Sequence, residues 1–128
     1  MTRENTGIQA LKGKTIIEID GLHEGCEEVI FRCADSTEYL MFHKQDCCES
    51  VSIEQVTGDP ADLIGNEILV AEESTSDTNP DGVVKKDQES YTWTFYKLAT
   101  IKGYVDIRWY GESNGFYSES VDFKEVKL

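Results

Sequence analysis

Chemically capable side chains are densest in one short stretch of the chain, which runs from His43 to Glu49. Imidazole and thiolate groups are good zinc ligands, so His43, Cys47 and Cys48 are the candidate metal ligands. Their spacing does not favour a metal site, because adjacent cysteines point in different directions and the chain contains no C-x-x-C or H-x-x-x-H pattern. A complete set of ligands would need other residues that the fold brings close.

The same stretch offers a catalytic pair, with Cys47 as the nucleophile and His43 as its base. An imidazole favours the reactive thiolate, but the carboxylates of Asp46 and Glu49 oppose it because negative neighbours raise the pKa of a thiol. The chain contains no P-loop or other catalytic motif. The simpler interpretation is a tight corner packed by the cysteines, in which His43 and Asp46 hydrogen-bond the backbone. The sequence therefore favours a protein that is not an enzyme, and it predicts no cofactor.

A second group of residues is suited to binding rather than to catalysis. Arg108, Tyr110, Asn114, Phe116 and Tyr117 lie around a predicted turn at 111–115. Arginine and large aromatic side chains dominate protein interfaces because they combine contact area with polar groups. They also suit a nucleotide, since a base can stack on an aromatic ring while Arg108 meets a phosphate. These residues are the candidate binding site.

The elements that position both groups are predicted to be strands, because apolar and aromatic residues recur at every second position. In the last third of the chain, Tyr91, Trp93 and Phe95 share one face of a strand, and Ile107 and Trp109 share the core face of the next. Three strands joined by short turns predict an antiparallel meander there. Strands are predicted at 14–20, 28–33, 38–43, 51–56, 67–72, 91–100, 104–110 and 116–126.

One short helical turn is predicted near 59–65, because Asp59 is a good N-cap, Pro60 suits the first helical position and Gly65 ends the segment. The fold class is therefore mainly antiparallel β, either sandwich-like or, if this turn extends into a helix, α+β. Residues 1–12 are expected to be a loose lead-in, and 13–128 a single β-rich domain. A polar loop interrupts this domain at about 74–89.

The chain is strongly acidic, with 25 Asp and Glu against 12 Lys and Arg and a formal net charge of −13. Such a surface repels phosphate backbones and anionic membranes, so neither direct nucleic-acid binding nor membrane binding is expected. It attracts a basic protein, although charge also serves solubility alone. The sequence shows no apolar stretch long enough to span a membrane and no signal peptide. A cytoplasmic protein with reduced cysteines is therefore expected.

Three strings give the chain a resemblance to a known group: 45–51 (QDCCESV), 89–100 (ESYTWTFYKLAT) and 108–115 (RWYGESNG). Together they resemble an uncharacterised family of small proteins carried by bacteriophages and prophages, over a span from about Gly13 to Val126. The resemblance implies a viral accessory protein in the cytoplasm of the bacterial host. Small acidic phage proteins are often inhibitors of host defences, but the resemblance carries over no catalytic residue.

The first functional hypothesis is a non-enzymatic binding protein, a phage-encoded inhibitor of a bacterial defence system. It would act through its acidic surface and the aromatic edge around Arg108, with a basic bacterial protein as partner. The alternatives are a protein that sequesters a small nucleotide, and a small Cys/His-dependent enzyme or metal-binding protein acting near His43 and Cys47. The sequence leaves a homo-oligomer open.

Overall fold

The computed structural model describes residues 7–85 and 88–126. Within these residues the chain forms eight strands and two short 3-10 turns, Ile8–Leu11 and Pro60–Leu63. All strand pairs are antiparallel, which confirms the predicted mainly β fold. The strands are β1 (Ile16–Asp20), β2 (Glu28–Cys33), β3 (Glu38–Phe42), β4 (Ser50–Thr57), β5 (Val70–Ser76), β6 (Ser90–Thr100), β7 (Gly103–Ser113) and β8 (Asp122–Val126).

The strands form two four-stranded sheets with one hydrophobic core. The first sheet has the order β1-β2-β3-β8 and the second the order β4-β7-β6-β5. In β2, Val29, Phe31 and Cys33 are buried in alternation with more exposed residues, as expected where one face of a sheet covers a core. A buried contact joins the sheets, in which the indole Nε1 of Trp109 donates to the sulfur of Met41 at 3.3 Å. Trp109 therefore faces the core, as the alternation of β7 predicts.

The C-terminal strand does not continue the predicted meander. β6 and β7 pair along their whole length, but β8 pairs with β3 in the other sheet. It also begins at Asp122 rather than at residue 116. The physical reason is core packing: the ring of Phe123 lies 5.3 Å from that of Tyr39 and 5.9 Å from that of Phe31, measured between centroids. The prediction of a third meander strand at 116–126 is therefore wrong.

The predicted helical turn is confirmed and is short. Asp59 accepts a hydrogen bond from the amide of Ala61 at 3.0 Å, and Pro60 opens the turn. The chain leaves the helical conformation at Ile64, so the turn does not grow into the helix of an α+β fold. Its buried Leu63 joins the common core.

The N-terminal segment is more ordered than a loose lead-in, as far as the structure describes it. The side chains of Ile8 and Leu11 are buried in the core, and the amide of Gly7 donates to the carbonyl of Phe123 at 3.2 Å. The expectation for 1–12 is therefore wrong at residues 8–11, because apolar side chains there complete the core. Residues 1–6 lie outside the described part. No helix in the described part of the chain has the length and apolar character to cross a membrane.

Candidate binding site

The outer face of the second sheet, which points away from the core, carries two of the predicted binding residues. In the β6–β7 pair, Trp93 lies opposite Tyr110 and Phe95 lies opposite Arg108. Because side chains alternate along each strand, these four residues share one face while Trp109 lies on the other. The face therefore combines three aromatic rings with a guanidinium group.

The polar loop between β5 and β6 packs onto this outer face. Trp93 is 0% exposed, and its Nε1 donates to Oδ1 of Asn79 at 3.0 Å. Asn79 and Gln88 exchange two amide hydrogen bonds of 3.1 and 3.2 Å, and Gln88 also donates to the hydroxyl of Tyr110 at 2.5 Å. The ammonium of Lys85 lies 4.4 Å from the centroid of the Tyr110 ring. The loop thus builds a small covered cluster outside the main core.

Two of the predicted anchors, Tyr110 and Arg108, are already bonded within the chain. The hydroxyl of Tyr110 donates to Glu112 at 2.7 Å, and burial together with the nearby carboxylate raises the pKa of Tyr110 to about 12. Arg108 donates from both Nε and Nη2 to Oε1 of Glu54 at 2.7 Å, and its guanidinium lies 5.3 Å from the Trp93 ring. Its positive charge is therefore largely compensated.

The other three predicted anchors lie apart from this face, in the loop that follows β7. Phe116 is 88% exposed, and its amide donates to the side chain of Asn114 at 3.0 Å. Tyr117 is half-buried and lines a small cavity of about 240 Å³ together with Cys48 and Glu89. The structure therefore splits the predicted binding edge in two: Arg108 and Tyr110 on the sheet, and an exposed loop with Phe116 at its tip.

The His43–Glu49 stretch forms a closed corner. Nδ1 of His43 donates to the carbonyl of Ser120 at 2.6 Å, and Nε2 lies 2.7 Å from Oε2 of Glu49. Both ring nitrogens therefore face oxygen atoms of the chain itself. A general base needs a ring nitrogen that is open to its substrate, and both nitrogens of His43 are engaged within the corner.

Glu49 is the residue that organises this corner. Its buried carboxylate also accepts the amides of Asp46 and Cys47, each at 2.9 Å. Burial acts to raise the pKa of Glu49, but the hydrogen bonds from His43 and from these amides outweigh it and lower the pKa to about 2. The sequence predicts that His43 and Asp46 hydrogen-bond the backbone of this corner. In the structure His43 does so, but the carboxylate that accepts backbone amides is that of Glu49.

The cysteines do not form a metal site with His43. The sulfurs of Cys47 and Cys48 are bonded to each other, so the expectation of reduced cysteines is wrong for this pair, whereas Cys26 and Cys33 are free. Across residues 7–85 and 88–126, no group of three or more His, Cys, Asp or Glu side chains is arranged to hold a metal ion. The three weak candidates thus lie near each other in sequence without forming a ligand set.

A groove of about 460 Å³ crosses all four strands of the second sheet on its outer side. Sequence reasoning missed it, although the alternation of Tyr91, Trp93 and Phe95 was the signal that a second aromatic face exists. Lys97 in this groove lies directly between Glu72 on β5 and Asp106 on β7. The charged and aromatic lining consists of Glu72, Glu73, Phe95, Tyr96, Lys97, Asp106 and Arg108.

The comparisons with known proteins identify a family. The model of a domain of unknown function, DUF7448, matches residues 9–123. The chain belongs to this family. No curated protein matches the chain, and no solved structure does. DUF7448 membership confirms the expectation of an uncharacterised family, while the phage origin implied by the resemblance stays a prediction.

Proposed function

We propose that this DUF7448 protein is a non-enzymatic binding protein whose partner is a basic protein. The observation that carries the proposal is the placement of its charge. The chain has a net charge of −13, and Glu49 and Glu119 are the only buried acidic side chains among the described residues. Nearly all of the described negative charge therefore lies at or near the surface, where its field reaches an approaching partner.

Ion pairs within the chain neutralise only part of this charge. Arg32 lies within 3.4 Å of Glu18 and Glu38 and 2.5 Å from Asp20, so one cation serves three carboxylates. Arg108 forms an ion pair with Glu54. Because opposite fields accelerate encounter and like fields exclude wrong partners, this excess favours a basic surface on the partner.

The two alternative functions find less support in the geometry. A nucleotide-sequestering protein needs a positively lined pocket, whereas the groove on the second sheet holds three carboxylates and two cations. Arg108, the predicted phosphate contact, is bonded to Glu54. An enzyme acting near His43 and Cys47 would need a free base and a free thiol, and both residues are engaged in the corner.

The biological role we propose is that of a phage-encoded inhibitor acting in the bacterial cytoplasm. The support is the resemblance to small phage and prophage proteins together with the acidic surface. A defence protein that recognises nucleic acid presents a basic surface, and carboxylates can occupy it in place of phosphates. The exposed Phe116 would add an aromatic anchor of the kind that dominates interfaces.

The test is affinity capture from lysates of bacteria that do or do not express a defence system, followed by elution with increasing salt. We expect one basic protein that elutes as salt rises, because screening shortens the range of charge interactions from ~10 Å at 0.1 M to ~3 Å at 1 M. The captured protein should also lose DNA or RNA binding when the acidic protein is added. A captured partner that resists high salt, or a stoichiometric bound nucleotide found by mass spectrometry, would contradict the proposal.

A further inference from the structure

The edge strand β5 is an open hydrogen-bonding surface. It lies at the end of the second sheet and pairs with β6 alone. The turn Ile8–Leu11 packs beside it, but residues 72–75 remain exposed. The backbone groups on its free side have no strand partner in the part of the chain that the structure describes. Free edges of this kind accept extended segments of other chains as an added strand.

The charges on this edge select the kind of segment. Glu72 and Glu73 are consecutive, so they place a carboxylate on each face of the sheet. Among the described residues neither carboxylate forms an ion pair. Burial and the negative charge of Asp122 raise the pKa of Glu73. A strand with two consecutive basic residues would complement both faces at once.

The groove on the outer face continues from this edge. Ser74 lies directly opposite Phe95, and its small side chain leaves the path from the edge to that ring open. The two cations of the groove are directed elsewhere, because Arg108 is bonded to Glu54 and Lys97 lies 5.8 Å from the Tyr104 ring centroid. An aromatic floor beside a carboxylate suits the long side chain of lysine or arginine.

We propose that β5 receives an extended, basic segment of the partner protein as an added strand. Its basic side chains pair with Glu72 and Glu73, and one lies across Ser74 on the ring of Phe95. The inference rests on the proposed function, since it names the surface that the basic partner uses. A second copy of this chain fits poorly, because pairing two β5 strands would bring like charges together.

The probe is a synthetic peptide as long as β5, made of Thr and Val with a central Lys-Arg pair. Two further forms of this peptide carry N-methyl groups, the first on every odd-numbered backbone amide and the second on every even-numbered one. Both forms keep the charges of the parent peptide. Only one set faces β5 in an added strand, so one form should lose binding and the other should keep it. Among residues 72–76, the amides that point away from β6 should gain protection from hydrogen exchange when the parent peptide binds.

Matched protein variants test the charges. Glu72→Gln with Glu73→Gln should weaken peptide binding by about three- to tenfold, because each exposed charge pair contributes modestly. Glu27→Gln with Glu28→Gln removes the same charge from two consecutive exposed residues where the chain enters β2, and we expect less than about a twofold change.

The outcomes separate this proposal from the general one. Equal binding of both N-methylated forms, or equal weakening by both pairs of substitutions, would show that charge alone attracts the peptide. The edge proposal would then be wrong and the proposed function would stand. A stable dimer through β5 that the peptide cannot displace would also overturn the edge proposal. If no basic peptide or protein binds in a salt-dependent way, both proposals fail.

Discussion

Replacing Tyr96 by phenylalanine should stabilise the protein. The side chain of Tyr96 is 1% exposed, and its hydroxyl has no hydrogen-bond partner among the described residues. Burying an unpaired polar group costs about 1–3 kcal/mol, whereas phenylalanine keeps the ring and removes that cost. We therefore expect Tyr96→Phe to raise the free energy of unfolding by about 1 kcal/mol or more, and the midpoint of thermal unfolding by roughly 3–5 °C.

The pH dependence gives this prediction a second readout. Burial and the charges of Glu73 and Asp122 raise the pKa of Tyr96 above its usual value of 10.0. The unfolded chain therefore loses this proton at a lower pH than the folded protein does, and stability falls as pH rises above about 10. The Tyr96→Phe variant should lose less stability over that range than the parent protein does.

The assay is urea unfolding followed by circular dichroism, at neutral pH and above pH 10, with differential scanning calorimetry for the midpoint. Tyr104→Phe is the matched control, because its ring is 54% exposed and the change should shift stability by less than ~0.5 kcal/mol. A destabilised Tyr96→Phe protein would refute the reasoning, since it would show that the hydroxyl forms a bond worth more than the cost of burying it.

Three further predictions concern the corner, the loop and the free thiols. Stability should fall as pH drops from about 4.5 towards 2, because the lowered pKa of Glu49 means that its charged form stabilises the folded protein. In the Glu49→Gln variant, the midpoint of thermal unfolding should depend less on pH over this range. Asn79→Ala removes the acceptor of the Trp93 indole, so it should cost ~1 kcal/mol and shift the tryptophan fluorescence to longer wavelength; an unchanged spectrum would contradict the docked loop. Iodoacetamide should label Cys26 well before Cys33, because burial shields the second thiol and raises its pKa, and equal rates by mass spectrometry would disprove this.

The strands could be predicted from the sequence because one physical rule, alternation at every second residue, acts locally. The pairing of β8 could not, since it depends on a contact with residues far away in sequence. Phe123 packs against the rings of Phe31 and Tyr39 in the first sheet. Glu119, in the segment that follows β7, accepts hydrogen bonds from Thr92 at 2.8 Å and Ser113 at 2.5 Å. Nothing in the local pattern of 116–126 distinguishes a third meander strand from a strand that changes sheets.

The two tryptophans show a related limit for the site. Trp93 and Trp109 both occur in alternating strands, and both are fully buried, but one lies under a polar loop and the other in the core. In β6, where both faces carry aromatic residues, alternation defines two faces of the strand without saying which face the core takes. The pairing of Phe95 with Arg108 decides it, because it places the charged side chain on the aromatic face. Asn79 could not be linked to this face from sequence, since loop docking depends on side-chain hydrogen bonds.

The acidic edges of the two sheets differ in a way that bears on partner choice. At β1, Glu18 and Asp20 are compensated by Arg32, which lies within 3.4 Å of both carboxylates. At β5, neither Glu72 nor Glu73 forms an ion pair among the described residues, although Lys97 lies opposite Glu72 on β6. Carboxylates without an ion pair on a free edge disfavour pairing with copies of the same chain, and so protect against aggregation. The same charge favours a basic strand, so one feature of β5 both excludes the self-complex and attracts the partner that we propose.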